Sequence, residues 1–269
     1  MTSIELSDAT FSKLVALIYE MTGVSIDDSK RSLLRNRLGR RVRALNLETL
    51  EEYMELVQSE PKSGTEVSSF VDAVTTHKTS FFRTPSLWNA LESEFVRLQK
   101  RGRPIKVWSA ACSNGQEPYS AAVLLEHVRG KESPKWRVEA SDVSPLAVER
   151  ASKGVYDCKD VKAAALARPN WNVEAAFEKE GEERVVRKAL RDRIRFKTHN
   201  LLKAPSGKFD VVFLRNVIIY FTEEDMLKVI GHAIGCLASG GLLVIGESES
   251  IGSSDSRVAY ERPCLYRKK

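Results

Sequence analysis

Apolar residues recur at helical spacing through the first seventy or so residues, and no strand-like alternation interrupts them. The spacing predicts helices over 7–22, from Asp27 or Asp28 to about Leu45, and over 50–58 and 65–74. The apolar stripe of the second helix is made by Leu34, Leu38, Val42 and Leu45. The pattern therefore predicts an all-helical N-terminal domain over residues 1–74.

From Leu87 onward helical and strand-like segments alternate, which is typical of a parallel sheet covered by helices. Strands are predicted over 105–112, 136–142, 193–198, 210–214 and 242–245, with a final strand beginning at Cys264. Helices are predicted over 87–99, 118–128, 144–152 and 223–237. These segments define an α/β domain over residues 87–269.

Two segments depart from this alternation. Residues 75–86 form a threonine-rich linker that ends in Phe81, Phe82 and Arg83, and we expect it to close over the binding site. Between about 156 and 192 the alternation stops, and residues 177–186 read as two short strands around Gly181. We interpret this second segment as a small inserted β-subdomain.

Composition restricts the class of protein. Of the 269 residues, 42% are hydrophobic and 29% charged, as in soluble globular proteins, and no run approaches the length of a membrane helix. The first residues lack the basic-then-apolar pattern of a signal peptide. The four cysteines and four histidines are scattered, so neither a disulfide framework nor a metal site is indicated. We expect a cytoplasmic, metal-free protein.

The net charge of +6 is unevenly distributed. Residues 30–43 contain seven basic side chains and no acid, namely Lys30, Arg31, Arg35, Arg37, Arg40, Arg41 and Arg43. Such a cluster favours an anionic partner, although a solvated helix face would have a similar composition.

Polar residues end several predicted strands, and the carboxyl ends of parallel strands face one crevice. These positions are 113–117, Asp142, 200–201 and 215–216. The first turn contains a single glycine, Gly115, so taken alone it also fits an ordinary βα turn without a ligand. A glycine-poor turn does not cradle a pyrophosphate well, which argues against a dinucleotide.

S-adenosylmethionine suits this crevice better, because it carries a ribose and an amino-acid end but no phosphate. Asp142 has two acceptor oxygens for the ribose hydroxyls, and Glu117 can pair with the ammonium of the methionine end. Each acid alone is more often a surface carboxylate or a helix cap. The hypothesis therefore depends on their joint placement.

Along nearly its whole length the chain resembles the CheR family of chemoreceptor glutamate methyltransferases. The resemblance rests on Thr75-Thr-x-x-Thr-x-Phe-Phe-Arg83, Val107-Trp-Ser-Ala-x-Cys-Ser-x-Gly-x-Glu-Pro-Tyr-Ser120, Ser141-Asp-Val, Asn200-Leu-Leu, Arg215-Asn-Val-x-Ile-Tyr-Phe221 and Gly246-Glu-Ser-Glu249. It implies a Rossmann-like class I S-adenosylmethionine-dependent methyltransferase domain with the inserted β-subdomain, preceded by the all-helical domain.

The resemblance also implies a set of site residues. Family members bind S-adenosylmethionine through the positions here occupied by His77, Thr79, Arg83, Glu117, Asp142, Asn200, Leu201, Asn216 and Val217. This chain departs from the family at three places: His77 replaces a common asparagine, Thr84 replaces an acid, and Asn114 and Gln116 replace a threonine and a glutamate.

The implied reaction transfers a methyl group from S-adenosylmethionine to receptor glutamates, leaving S-adenosylhomocysteine and glutamate methyl esters. A glutamate carboxylate is ionised at neutral pH and needs no general base. We expect Arg83 and Tyr220 to orient the acceptor or the methionine end beside it.

The expected partner is the cytoplasmic helical bundle of a chemoreceptor, which would dock on Arg35, Arg37, Arg40 and Arg41. A receptor C-terminal peptide could add a strand to the inserted subdomain. We expect a monomer that binds no nucleic acid and does not insert into a membrane.

Three alternatives remain at this stage. One is a signalling adaptor that keeps the methyltransferase fold but has little methyl-transfer activity. A second is a nucleic-acid methyltransferase, which the basic helix and the pI near 9.1 suggest, although no Asp/Asn-Pro-Pro-Tyr motif follows strand 210–214. The third is a methyltransferase of a parallel chemosensory pathway that does not control swimming.

Overall fold

A computed structural model describes residues 5–129, 135–251 and 255–269, so residues 1–4 of the predicted helical domain lie outside the described part. The chain begins with four helices: α1 (Asp8–Thr22), α2 (Arg31–Ala44), α3 (Leu50–Ser59) and α4 (Thr65–Val74). The Ser7 hydroxyl caps α1 by accepting from the Thr10 amide, and Gly23 ends α1 in the left-handed region at φ +77°. A single 3₁₀ turn, Asp28–Lys30, precedes α2. All four helices lie where the apolar spacing predicted them.

The helices of this first region enclose their own apolar core. Its largest buried side chains include Leu14, Ile18, Leu34, Leu38, Tyr53 and Phe70. The predicted stripe of α2 supplies three of its core residues, Leu34, Leu38 and Val42, whereas Leu45 is only partly buried.

The remainder of the chain alternates between helices and strands. The helices are α5 (Pro85–Gln99), α6 (Gln116–His127), α7 (Pro145–Lys153), α8 (Cys158–Ala167), α9 (Lys188–Arg191) and α10 (Glu223–Cys236). The strands are β1 (Ile105–Ser109), β2 (Trp136–Asp142), β3 (Val155–Asp157), β4 (Phe177–Glu180), β5 (Glu183–Val186), β6 (Ile194–Thr198), β7 (Phe209–Leu214), β8 (Leu237–Ile245), β9 (Val258–Arg262) and β10 (Leu265–Lys268).

Seven of these strands form one sheet in the order β6-β2-β1-β7-β8-β10-β9. The pairs from β6 to β8 are parallel, and β10 runs antiparallel to both of its neighbours. The chain order reverses direction between β1 and β7. In an open α/β sheet, ligands bind at such a reversal, beyond the carboxyl ends of the strands.

Strand boundaries differ from the prediction at two places. Strand β1 ends at Ser109 and a turn follows at residues 110–111, although the amides of Ala110 and Cys112 still donate to the Phe213 and Ser141 carbonyls, each at 2.9 Å. Strand β8 starts at Leu237, directly after α10, and so includes Gly240 and Gly241, which precede the predicted start at 242. Strand β9 was not predicted, because four of its five residues are exposed and leave little hydrophobic signal.

A second, three-stranded antiparallel sheet in the order β3-β5-β4 occupies residues 155–186, with α8 between its first two strands in sequence. The Phe81 ring packs edge-on against Tyr156 and Phe177, at centroid distances of 4.9 and 5.7 Å. The linker before α5 is therefore fixed to this small sheet by aromatic contacts.

Two kinds of feature are absent from the described residues. No helix in residues 5–129, 135–251 and 255–269 is both long and apolar enough to cross a membrane. Within the same ranges, no group of three or more histidine, cysteine or acidic side chains is arranged to hold a metal ion.

Candidate active site

A cavity of about 500 Å³ lies beyond the carboxyl ends of β1, β2, β6 and β7. It is closed on the other side by the linker and by residues between α1 and α2. The predicted site residues that line it are His77, Thr79, Arg83, Glu117, Asp142, Leu201, Asn216, Val217 and Tyr220. The chain thus brings together in one cavity side chains that lie up to 143 positions apart.

Glu117 reaches the cavity through the turn after β1. Gly115 precedes α6 at φ +94°, and a side chain there would meet the Tyr156 hydroxyl and the Cβ of Ala151 at under 3 Å. Glycine is therefore required at this position. The turn places Glu117 in the first turn of α6, directly beside the end of β1.

The Glu117 carboxylate is held by two neighbours. The Ser109 hydroxyl donates to one oxygen at 2.8 Å, and a guanidinium nitrogen of Arg215 donates to the other at 3.0 Å. Burial raises the pKa of Glu117, while the charge and hydrogen bond of Arg215 work against this rise.

Asp142 ends β2 and accepts two backbone hydrogen bonds, from Ser113 at 2.8 Å and from Ser144 at 3.1 Å. Burial raises the pKa of Asp142, and these two bonds offset part of the rise. Each carboxylate oxygen keeps one further acceptor position, so the group can still receive two hydroxyls of a ligand.

The loop after β7 is organised by a residue to which we had assigned no role. The buried Glu249 carboxylate accepts four backbone amides: those of Asn216 and Gly246 at 2.7 Å, Val217 at 2.8 Å and Ile218 at 3.0 Å. Asn216 is held in the left-handed region at φ +54°. Glu249 therefore fixes the position of Asn216 and Val217 at the cavity wall.

The linker reaches the site through two strained residues, Phe82 at φ +50° and Thr84 at φ +66°. Between them, the Arg83 carbonyl accepts from the Trp88 indole and from Arg215, each at 3.0 Å. Among the described residues, the Arg83 guanidinium makes one hydrogen bond, to the Lys78 carbonyl at 3.3 Å, and Arg83 lines the cavity. Its backbone is thus fixed while its charged end remains available to a ligand.

His77, the first departure from the family pattern, connects the linker to the helical region. Its Nε2 lies 3.0 Å from Asp72 on α4 and 3.0 Å from the Thr75 hydroxyl. Asp72 also accepts from Ser144 at 2.8 Å and Arg150 at 2.7 Å, both on the α/β side. Burial raises the pKa of Asp72, but the hydrogen bonds from His77, Arg150 and Ser144 outweigh burial and hold it well below its usual value.

Two other contacts hold the helical region beside the cavity. The Ser25 amide donates to the Tyr220 carbonyl at 2.8 Å, and the Tyr19 hydroxyl donates to Asp225 at 2.7 Å. Tyr220 is half-buried and lines the cavity. Residues from both regions therefore form one continuous wall.

Asn200 is the predicted cofactor residue that the cavity lining does not include. Its side-chain oxygen accepts from the Leu202 amide at 2.9 Å, which shapes the turn after β6. Leu201, the next residue, does line the cavity. Asn200 therefore shapes the turn that places Leu201 at the cavity wall.

The four arginines proposed for docking divide into two pairs. Arg37 donates to the Ala73 and Thr75 carbonyls at 3.1 and 2.7 Å, and Arg41 forms an ion pair with the buried Glu66. Arg35 and Arg40 are exposed and form no ion pair within the described residues. The structure thus engages Arg37 and Arg41 internally, and the predicted docking role rests on Arg35 and Arg40.

The residues present fit S-adenosylmethionine. The volume suits a nucleoside with an amino-acid tail. Asp142 supplies acceptors for ribose hydroxyls, Glu117 an anion for an ammonium, and Arg83 a cation for a carboxylate. Within the described residues, the Ser113 hydroxyl is buried without a hydrogen-bond partner at the same wall, which leaves it free for a ligand.

Comparisons with known proteins agree with this geometry. Residues 9–75 match the all-alpha domain of CheR methyltransferase, and residues 77–262 match the S-adenosylmethionine-binding domain of CheR methyltransferase. The chemotaxis protein methyltransferase of Salmonella typhimurium is 36% identical over 255 residues, which cover 92% of this chain and 86% of the relative.

Two further relatives are similarly close. The chemotaxis protein methyltransferase of Escherichia coli is 34% identical over 267 residues, covering 97% of this chain and 91% of that protein. Chemotaxis protein methyltransferase 2 of Pseudomonas aeruginosa is 34% identical over 244 residues, which cover 89% of this chain and 86% of that protein. These matches do not favour the adaptor or the nucleic-acid methyltransferase.

Proposed function

This chain belongs to the CheR methyltransferase family, and we propose that its S-adenosylmethionine-dependent reaction in chemotaxis methylates glutamate side chains of chemoreceptors. The observation that carries the proposal is the cavity itself. It combines the buried Asp142 carboxylate and the mostly buried Glu117 carboxylate with an available guanidinium and a phenol at Arg83 and Tyr220. We propose that the acceptor is a carboxylate and the product a methyl ester.

When bound, S-adenosylmethionine supplies an electrophilic methyl group. Glu117 binds the ammonium of its amino-acid end, and Asp142 accepts from its ribose hydroxyls. Arg83 and Tyr220 orient the acceptor carboxylate, which is already ionised at neutral pH. A phenol holds this acceptor without the strong ion pairing that would reduce its nucleophilicity. The remaining contribution of the protein is positioning and the exclusion of water.

We propose that the receptor is engaged where the cavity opens. Leu33 on α2 and Ile219 beside Tyr220 both line the cavity, yet they are 42% and 58% exposed. Lys30 adds positive charge at the cavity, and Arg40 lies about two turns after Leu33 on the same face of α2. Arg35 is exposed on a different face of the helix. An apolar pair flanked by cations suits a helix that carries glutamates among apolar residues, as we propose for the methylated helices of a receptor in the cytoplasm.

Charge reversal on α2 tests this docking surface. Arg40→Glu should raise the KM for receptor about fivefold and change kcat little, because a charge at the rim of an interface acts mainly on encounter. Raising the salt concentration should reduce the difference in KM between Arg40→Glu and the unmodified protein, since salt screens exposed charges. The measurement is steady-state methylation of receptor-containing membranes at low and high salt.

The matched control is Arg137→Glu, which reverses an exposed charge at the start of β2, at the edge of the sheet opposite the cavity. It should leave KM unchanged. An equal rise in KM for both variants, or a fall in kcat alone for Arg40→Glu, would contradict docking on α2.

The chemical class of the product is tested by the stability of the transferred methyl group. Methyl groups transferred from tritiated S-adenosylmethionine to chemoreceptors should be released by mild base, because esters hydrolyse and N-methyl groups do not. Label that resists base would contradict ester formation while leaving methyl transfer intact.

A further inference from the structure

A buried ion pair forms the wall behind the cavity. The Arg215 side chain is 3% exposed and the Glu117 side chain 12%, and their charged atoms lie 3.0 Å apart. The second terminal nitrogen of Arg215 donates to the Arg83 carbonyl and to the Thr84 hydroxyl, each at 3.0 Å. Its Nε is buried without a partner among the described residues. The guanidinium is therefore fixed on three sides and meets one carboxylate.

Thr84 explains why the Arg215 guanidinium pairs with the Glu117 carboxylate and with no second acid among the described residues. Arg215 contacts Thr84 through a neutral hydroxyl, at the position where the resemblance predicted an acid. The only carboxylate that bonds to Arg215 among the described residues is that of Glu117. One positive charge thus faces one negative charge in a region that water barely reaches.

The Glu117 carboxylate retains acceptor capacity. Ser109 and Arg215 each use one position on a different oxygen, and a carboxylate has about four. Glu117 also lines the cavity, so its remaining positions are available to a ligand. A neutral carboxylic acid at this position would bind an ammonium much more weakly, because the attraction between opposite charges would be lost.

We propose that Arg215 is a positioning residue for the methyl transfer: it keeps Glu117 ionised and oriented, so that Glu117 binds the ammonium of S-adenosylmethionine. The inference rests on the proposed function, because it assumes that the amino-acid end of the ligand lies at Glu117. Burial favours the protonated acid, and the charge of Arg215 opposes it most strongly, together with the hydrogen bonds from Ser109 and Arg215.

Other titratable groups surround this pair. Glu249 raises the pKa of Glu117 in the same sense as burial, and Asp142 and Arg83 lie around the same cavity. Burial raises the pKa of the neighbouring Cys112 thiol well above its usual value, so this thiol stays neutral near pH 7. When Arg215 is removed, the pKa of Glu117 should therefore rise further, and its ionisation should require a higher pH.

The test compares two thioether ligands by isothermal titration. S-adenosylhomocysteine has the ammonium, and methylthioadenosine has the same adenosine without the amino-acid end. Arg215→Met should weaken S-adenosylhomocysteine about tenfold near pH 6.5 and less near pH 8, because at the lower pH the ammonium loses its ionised partner and at the higher pH Glu117 ionises again. Methylthioadenosine should bind as before. Arg215→Lys, which keeps the charge, should restore most of the affinity.

Two variants serve as references. Arg103→Met removes an arginine that pairs with the buried Asp210 near the start of β7, at the end of the sheet away from the cavity, and should leave both ligands unaffected. Glu117→Gln should weaken S-adenosylhomocysteine at every pH, because its neutral amide cannot be ionised. Its loss should therefore lack the pH dependence of Arg215→Met.

Equal losses for both ligands in Arg215→Met, or a loss that does not vary with pH, would overturn the inference and leave Arg215 a structural role only. An unchanged affinity in Glu117→Gln would overturn the assignment of Glu117 as the ammonium site, and this inference with it. Neither result bears on ester formation, which base lability measures, so the two failures are distinguishable.

Discussion

Replacing Glu249 with alanine is expected to destabilise the protein by about 4 kcal/mol, roughly 1 kcal/mol for each of the four backbone amides left without an acceptor. The amides belong to Asn216, Val217, Ile218 and Gly246. Their loop carries two of the proposed cofactor contacts, so S-adenosylmethionine affinity should fall as well. Thermal unfolding should shift down by about 10 °C, and a binding titration measures the second effect.

Glu247→Ala is the matched control, because Glu247 lies two residues away in the same segment and is exposed. It should leave both the melting temperature and the affinity unchanged. Glu249→Gln should be intermediate, since the amide NH₂ replaces one acceptor oxygen and faces two of the four donors. A melting temperature for Glu249→Ala equal to that of the control would show that the four bonds contribute little.

Arg83→Ala is expected to lower kcat/KM for receptor methylation about a hundredfold, because it removes one or two charge-assisted hydrogen bonds to the acceptor or the methionine end. Within the part of the chain that the structure describes, its guanidinium makes one long backbone hydrogen bond at the cavity, whereas its carbonyl is fixed by Trp88 and Arg215. Truncating the side chain should therefore spare the linker. Tyr220→Phe, which removes only a hydroxyl, should cost about tenfold.

Steady-state kinetics and a thermal melt separate catalysis from folding in these variants. The melting temperatures of both should match that of the unmodified protein. Full methyl transfer by Arg83→Ala would exclude its proposed role in orienting the acceptor or the methionine end, and full transfer by Tyr220→Phe would exclude the phenol. Arg83→Lys should recover part of the rate, since it keeps the charge but not the planar pair of donors.

Helices and central strands could be predicted from the sequence because their apolar spacing is strong. The four N-terminal helices and the buried strand 209–214 illustrate this. Strand β9 was not predicted because its side chains are mostly exposed. Its pairing with β10 depends on backbone hydrogen bonds, which leave no pattern in the amino-acid composition. The end of β1 was placed too late because residues 110–112 are apolar without being in the strand.

The site residues, too, could be predicted only where a local sequence pattern indicated them. Residues at strand ends were predictable, because parallel topology alone places Glu117, Asp142 and Asn216 at one edge of the sheet. Glu249 was part of a recognised motif, yet nothing local showed that it would fold back onto the loop after β7. An acid directly following the buried strand β8, in a segment rich in small residues, is the signal that could have indicated it.

Charge patterns on a helix were similarly ambiguous. The absence of acids within 30–43 suggested that the arginines were free, but their partners came from distant segments. Arg41 pairs with Glu66 on α4, and Arg37 bonds to carbonyls at the end of α4. Only the tertiary arrangement distinguishes these two from the exposed Arg35 and Arg40.

The acceptor residue in the receptor tests the central claim most directly. Chemoreceptor incubated with this protein and S-adenosylmethionine should be digested and its peptides mapped by tandem mass spectrometry. We expect added methyl groups on glutamate side chains of the cytoplasmic helices, and we expect none when those glutamates are replaced by aspartate or alanine. Methyl groups found on lysine, arginine or backbone amines, or no receptor methylation at all by a protein that binds the cofactor, would contradict this claim.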